Sequence, residues 1–159
     1  MKLLSACLAF FALSSCQTAS NQDVTAELKP VVEKLMTAWS TMDPSKAAPF
    51  YSHDPGTVYY DVSPLKYIGW AEYESGFKRA SSQWKSIKLN LNPDFKATRY
   101  GNTAIATYTL TFEIEPKDGS VMRGEGRSTD VFEKRGSEWI IIHEHNSAPM
   151  PDETPEHQK

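Results

Sequence analysis

The sequence predicts an α+β fold, with helices in its first half set against an antiparallel sheet built by its second half. Three observations predict it. Apolar residues up to Met42 recur at spacings of three and four, the period of one helix face. From Ile87 onward apolar and polar residues alternate, the period of a strand. The alternating runs are separated by RYGN, PKDGS and KRGSE, all rich in turn-forming residues.

The chain opens with MKLLSACLAFFALSSC. Lys2 supplies a short positive end, and Leu3 to Leu13 form an apolar run of eleven residues. That run is too short to span a bilayer and suits the core of a secretory signal. Leu13-Ser14-Ser15-Cys16 resembles a bacterial lipobox, in which the Cys is lipidated and becomes the first residue of the mature protein. A plain signal peptide cut after Ser14, with Ala12 and Ser14 as the small-x-small pair, is the alternative. Cys7 lies inside the apolar run and no cysteine follows Cys16, so the mature domain has no internal disulfide to form. A lone thiol in an oxidising compartment is a liability, which favours lipidation of Cys16. The resemblance implies a signal peptide over 1–15 and a membrane anchor through acylated Cys16. Gln17, rather than Asp, follows the Cys, which points to an outer-membrane lipoprotein of the cell envelope, facing the periplasm. Residues 16–22 then read as a polar tether and 23–149 as the domain.

Within the domain, Val24, Leu28, Val31, Leu35, Trp39 and Met42 make one helical stripe, with Pro30 inside it as a kink or as the start of its stronger part. Asp43-Pro44 reads as an N-cap and a first-turn proline opening a short helix to about Tyr51. TVYYDV is a short strand, and Trp70 to Trp84 a second amphipathic helix with Gly69 near its start. Ile87, Leu89 and Leu91 begin the first of about four long strands. Ala104 to Ile114, Met122 to Phe132 and the run ending at Ser147 supply the others. MPDETPEHQK, residues 150–159, is Pro-rich, charged and without period, and reads as a disordered tail carrying His157.

Composition narrows the function. The net charge is −3 and no basic stripe appears, which argues against nucleic acid as a partner. No Gly-rich phosphate loop, Ser-nucleophile motif or mature-chain Cys nucleophile is present, so nucleotide binding and acyl-enzyme hydrolysis are set aside and no cofactor is expected.

The end of the domain, STDVFEKRGSEWIIIHEHNSAP, resembles the nuclear transport factor 2-like superfamily, in particular SnoaL-like domains and the association domain of calcium/calmodulin-dependent kinase II. That group ends in Thr-x-Val-aromatic, a charged turn, then Trp-x-Ile-x-His-x-His-x-Ser. Those positions here are Thr129, Val131, Phe132, Trp139, Ile141, His143, His145 and Ser147. YSHDPGTVYYDVSPLKYIGWAEY matches as well, with Asp61 ending a strand and Tyr67-x-Gly69 leading into a helix. The resemblance covers about Val24 to Pro149. It implies a cone-shaped curved sheet wrapped around the helices, an internal pocket, and a homodimer formed through the outer sheet face. Members include isomerases, dehydratases, cyclases and oligomerisation hubs, so fold alone does not choose among them.

In an extended strand His143 and His145 leave the same face. A metal site needs further ligands with oriented second partners. Only His53, Asp54 and Asp61 offer themselves, without a recognisable spacing, so no metal is expected. The pair reads first as structural and second as catalytic. Apolar residues stand at both parities of this strand, so alternation places the histidines on either face. Ile140, Ile142, Glu144 and Asn146 share the opposite parity. Kinase association domains often carry pocket arginines where this chain has Asp130 and Asn146, a departure that weakens the expectation of an anionic ligand. Asp130 suits proton transfer or a neutral or cationic group; a partnership with Arg127 or Arg123 is the plainer alternative. The candidate catalytic set is Asp130 with His143 and His145, and the candidate ligand contacts are Trp39, Tyr60, Asp61, Tyr108, Arg127 and Asn146. Most of the aromatic group Trp39, Tyr59, Tyr60, Trp70, Tyr73, Phe77, Trp84 and Tyr108 reads as ordinary core. The expected function is binding of a small, mostly apolar ligand in the cone. A cofactor-independent isomerase, lyase or cyclase and a dimeric interaction module are the alternatives.

Overall fold

A computed structural model describes residues 21–149; Cys16, the signal-like segment and the C-terminal tail with His157 lie outside the described residues. A two-residue strand, β1 (Gln22–Asp23), leads into helix α1 (Thr25–Ser40), whose first turn is tied down when Thr25 N donates to Asp23 Oδ1 at 2.8 Å. The helix runs through Pro30, which lies exposed, and buries Leu28, Val32, Leu35, Met36 and Trp39. Asp43 caps α2 (Pro44–Ala47) by accepting from Ser45 N, with Pro44 in the first turn, as the sequence predicts; a 3-10 turn follows over Ala48–Phe50. Two short strands, β2 (Val58–Tyr60) and β3 (Tyr67–Ile68), precede helix α3 (Trp70–Ser81). That helix stops short of the predicted Trp84, which instead opens β4 and packs edge-on against Phe77.

The sheet proper comprises β4 (Trp84–Leu91), β5 (Lys96–Tyr100), β6 (Thr103–Pro116), β7 (Met122–Arg135) and β8 (Glu138–Ser147). Strands β4 and β5 pair with different halves of β6, separated by the Asn92-Pro93-Asp94-Phe95 break, so the sequence's first long strand is two. The order is β1-β5-β6-β7-β8-β2-β3, and the β2–β8 pairing is parallel while the other strand pairs are antiparallel. The sheet curves over the helices, and the core sits between, where Trp39, Tyr51, Tyr59, Tyr67, Trp70 and Tyr73 meet Ala104, Ala106, Phe132 and Ile141.

One irregularity sets the polarity of the last strand. Val131 pairs with His143 and Phe132 with Ile141, so Ile142 is the extra residue of a β-bulge. Simple alternation groups Ile140 and Ile142 with Glu144. The bulge puts Trp139 and Ile141 on the buried face together with Glu144, and turns His143 and His145 outward.

Candidate functional site

The buried face of the sheet presents its residues in lateral rows. One row runs Ala106, Asp130, Glu144 and Tyr59 across β6, β7, β8 and β2; the next holds Tyr108, Ser128 and Asn146. Asp130 and Glu144 are directly opposed on neighbouring strands, 0% and 3% exposed. Opposed residues stand with Cβ atoms roughly 5 Å apart, where like charges destabilise a sheet. Ala106 stands beside Asp130 in this row, and the core side chains of the helices cover it.

Donors converge on Glu144. Tyr73 OH donates to Oε1 at 2.6 Å, Asn146 Nδ2 donates to the same oxygen at 2.7 Å, and Tyr51 OH donates to Oε2 at 2.6 Å. Trp39 Nε1 donates to the Tyr51 hydroxyl oxygen at 3.0 Å, which leaves the Tyr51 proton for Glu144. Asn146 is held in turn by a hydrogen bond from Ser128 Oγ to its Oδ1. Asp130 receives less: Tyr108 OH donates to Oδ2 at 2.8 Å, and Oδ1 has no partner. A buried polar atom without a partner is uncommon in a folded protein and marks a place to look for function.

The titration of the acids follows from this setting. Burial, then the Glu144 charge, pushes the Asp130 carboxyl well above the usual carboxylate range, against the donation from Tyr108. Burial also raises Glu144, but the Tyr51 and Tyr73 donors hold it back, at about 7. Burial raises Asp61 as well; it is half-buried after β2, with Oδ1 accepting from Val62 N at 2.8 Å. Tyr51, Tyr73 and Tyr108 all sit well above their ordinary phenol value because they are buried beside these carboxyls, so they stay protonated and remain donors.

The structure divides the residues singled out in the sequence. Asp130, Tyr108, Asn146 and Trp39 come together inside, with Asp61 beside Asn146. His143, His145, Tyr60 and Arg127 lie on the outer face. Tyr60 packs edge-on against both imidazoles at 5.4 and 5.6 Å, and His143 Nδ1 bonds Val58 O at 2.8 Å. The histidine pair is therefore separated by the sheet from Asp130, and the catalytic set of Asp130 with His143 and His145 is not assembled. Arg127 Nε donates to Ser147 Oγ and Arg123 pairs with Glu113, so neither arginine partners Asp130. The outer face carries an open depression of about 420 Å³ lined by Thr107, Thr109, Arg127, Thr129, His145 and Ser147. His53 stacks on Trp70 and Asp54 pairs with Arg135, and no three metal-ligating side chains gather among the described residues. The principal residues that sequence reasoning passed over are Glu144, Tyr51 and Tyr73. Glu144 was visible only as a charged residue sharing parity with Asn146.

The SnoaL-like domain family matches residues 29–151. No curated protein matches the chain. Among solved structures, a nuclear transport factor 2-like superfamily protein from Salmonella enterica is 20% identical with a TM-score of 0.74, over 85% of this chain and 97% of its own. A protein of cystatin-like fold from Caulobacter vibrioides is 25% identical with a TM-score of 0.66, over 80% of this chain and 91% of its own. A protein from Xanthomonas campestris, provisionally named a calcium/calmodulin-dependent protein kinase II association domain, is 24% identical with a TM-score of 0.59, over 79% of this chain and 87% of its own. The curved sheet over three helices is the fold these proteins share, and the chain belongs to the SnoaL-like domain family.

Proposed function

We propose that the protein is an envelope lipoprotein, anchored through Cys16, whose domain binds a small, mostly apolar molecule inside the cone, with no established catalysis. The observation that carries this reading is Asp130 Oδ1, wholly buried at the sheet floor and lacking any partner. A buried aromatic cluster with one unanswered polar group suits a ligand that is apolar over most of its surface and polar at one end. The rings of Trp39, Tyr51, Trp70 and Tyr73 supply the apolar wall, at centroid separations of 5.0 to 6.0 Å from one another. Native mass spectrometry of the protein recovered from its own envelope fraction tests it. The expected result is an organic mass adduct that leaves on denaturation. A bare protein that also takes up nothing saturably from a fragment library overturns it.

A second reading, proton-transfer catalysis by an isomerase or lyase, draws on a different observation. Glu144, held at about 7, is poised to give and take a proton near neutrality, and Tyr51, Tyr73 and Tyr108 are phenol donors for a developing oxyanion. Under this reading Asp130 and Glu144, rather than the histidines, carry the chemistry. Asp130→Asn and Glu144→Gln should then each lower turnover of any substrate found by about 100-fold or more. Unchanged turnover in both variants excludes it.

A further inference from the structure

The charge inside the cone is one-sided. Asp130 and Glu144 face each other across β7 and β8, and Asp61 stands close enough to add its charge to that of Glu144. The groups turned toward the pair are Tyr108 from β6, Tyr59 from β2, Tyr51 after the 3-10 turn, Tyr73 from α3, and Asn146 and Ser128 from the sheet. None can carry a positive charge. The ion pairs among the described residues involve other carboxylates, on the surface. A fold that opposes two acids on its buried face ordinarily supplies a cation between them or leaves them protonated.

We infer that the cone selects a small organic monocation, a protonated amine with an aromatic or branched apolar body. Its N–H donates to Asp130 Oδ1 and its charge is met by Glu144. This rests on the reading that the cone binds a small molecule at all. Four features converge on it. Asp130 Oδ1 is the one buried side-chain oxygen or nitrogen without a partner among the described residues, and an ammonium supplies the donor it lacks. Three donors already gather on Glu144, so negative charge localises there and needs no further hydrogen bond from the ligand. The walls above the pair are the faces and edges of Trp39, Trp70, Tyr51 and Tyr73, and aromatic faces attract cations. No three metal-ligating side chains gather among the described residues, short of the oxygen-rich cluster that calcium takes, and the aromatic surroundings favour an organic ion. Asp61, half-buried where the others are fully enclosed, marks the side of entry.

Binding of a monocation by an acid pair that is neutral at low pH must release a proton. Below the Glu144 value of about 7, affinity should therefore rise about tenfold per pH unit and level off above it. The test is titration calorimetry of the folded protein with matched probes: benzylamine, phenethylamine and tryptamine against the corresponding alcohols, at pH 5, 6, 7 and 8. The expected result is that amines bind at least tenfold more tightly than alcohols at pH 7, with the predicted pH slope. Comparison of buffers of different ionisation enthalpy should show one proton released at pH 5. Glu144→Gln, which removes the charge that meets the ammonium, should bring the amine-to-alcohol ratio close to one. Alcohols binding as tightly as amines, or amine affinity flat from pH 5 to 7, overturns the inference and leaves small-molecule binding standing. If neither class binds and the fragment library also gives nothing, the binding reading itself falls. Should Glu144→Gln not fold, the proton count on the unmodified protein decides alone.

Discussion

Glu144 is a carboxylate site built by two tyrosines from distant parts of the chain and by Asn146 two residues on, and each should be measurable by itself. Tyr73→Phe removes one donor from a buried charged acceptor, which costs about 1.5–3 kcal/mol in the general run of such bonds. Tyr51→Phe should cost more, because it also strips the Trp39 indole N–H of its acceptor; urea denaturation of the two variants side by side gives the ranking. Both should also push Glu144 further up, since the donors are what hold it at about 7. The pH dependence of stability has a definite sign. An acid whose folded value lies above its unfolded value contributes its full stability below about 4.5, and that contribution is lost as pH rises through about 7. Asp130, raised for the same reason, acts in the same direction. The surface carboxylates Asp23, Glu27, Asp43, Asp54, Asp94 and Glu113 are lowered instead, so their contributions are lost only as pH falls through values below the ordinary carboxylate range. The expected outcome is a melting temperature that declines from pH 5 to pH 8, with a flatter profile in Glu144→Gln; a melting temperature that rises over that interval contradicts the assignment.

At the scale of elements, the bulge in β8 decides which side of the sheet is acidic. Deleting Ile142 removes the extra residue and joins Ile141 directly to His143, so that simple alternation holds Trp139, Ile141, Glu144 and Asn146 on one face. Retained cooperative unfolding and a dispersed amide NMR spectrum are expected, and loss of dispersion contradicts this account of the bulge. Helix α3 offers a test of opposite flavour. Gly76 lies mid-helix, where alanine ordinarily stabilises by about 1 kcal/mol. Here a Cβ would fall 2.2 Å from Tyr67 Cε1, and Tyr67 stacks on Tyr73. Gly76→Ala should therefore destabilise, by roughly 1–3 kcal/mol from overpacking, in a denaturant titration. These two elements also show what could be read in advance. The α+β class, the asparagine-proline break aside, came from plain alternation in Ala104–Ile114 and from the Asp43-Pro44 cap, both local signals. Ile140-Ile141-Ile142 is apolar at every position, so no periodicity betrays a bulge within it, and the faces of the histidines and Glu144 hang on that bulge. Asp130, Tyr108, Asn146 and Trp39 were legible as polar or aromatic residues on core-facing elements. Tyr51 and Tyr73 were not legible as donors to Glu144, because they meet it across 93 and 71 residues of sequence.

For the molecule as a whole, two properties remain proposals with direct tests. No helix among the described residues is long and apolar enough to cross a membrane, so attachment through Cys16 is the proposed route to one. Cys16→Ser should move the protein from the membrane fraction to the soluble fraction of the envelope and abolish labelling by an acyl-chain probe. The outer face, with Tyr60 and Ile105 each 39% exposed beside the threonine row, is the proposed dimer contact. Light scattering should give twice the monomer mass, and Tyr60→Lys or Ile105→Lys should halve it. The parallel pairing of β2 with β8 bears on how the molecule is made. Besides the short pairing with β3, Val58, Tyr59 and Tyr60 pair with His143, Glu144 and His145, close to the end of the described chain. Contacts so distant in sequence form slowly. Helix α1 packs on β4 and β5, made midway along the chain, whereas Tyr51, Tyr59 and Tyr73 wait for Glu144 and the rest of β8. Under the proposed export that delay has a use: the chain does not lock into its finished shape before its final strand has crossed the membrane.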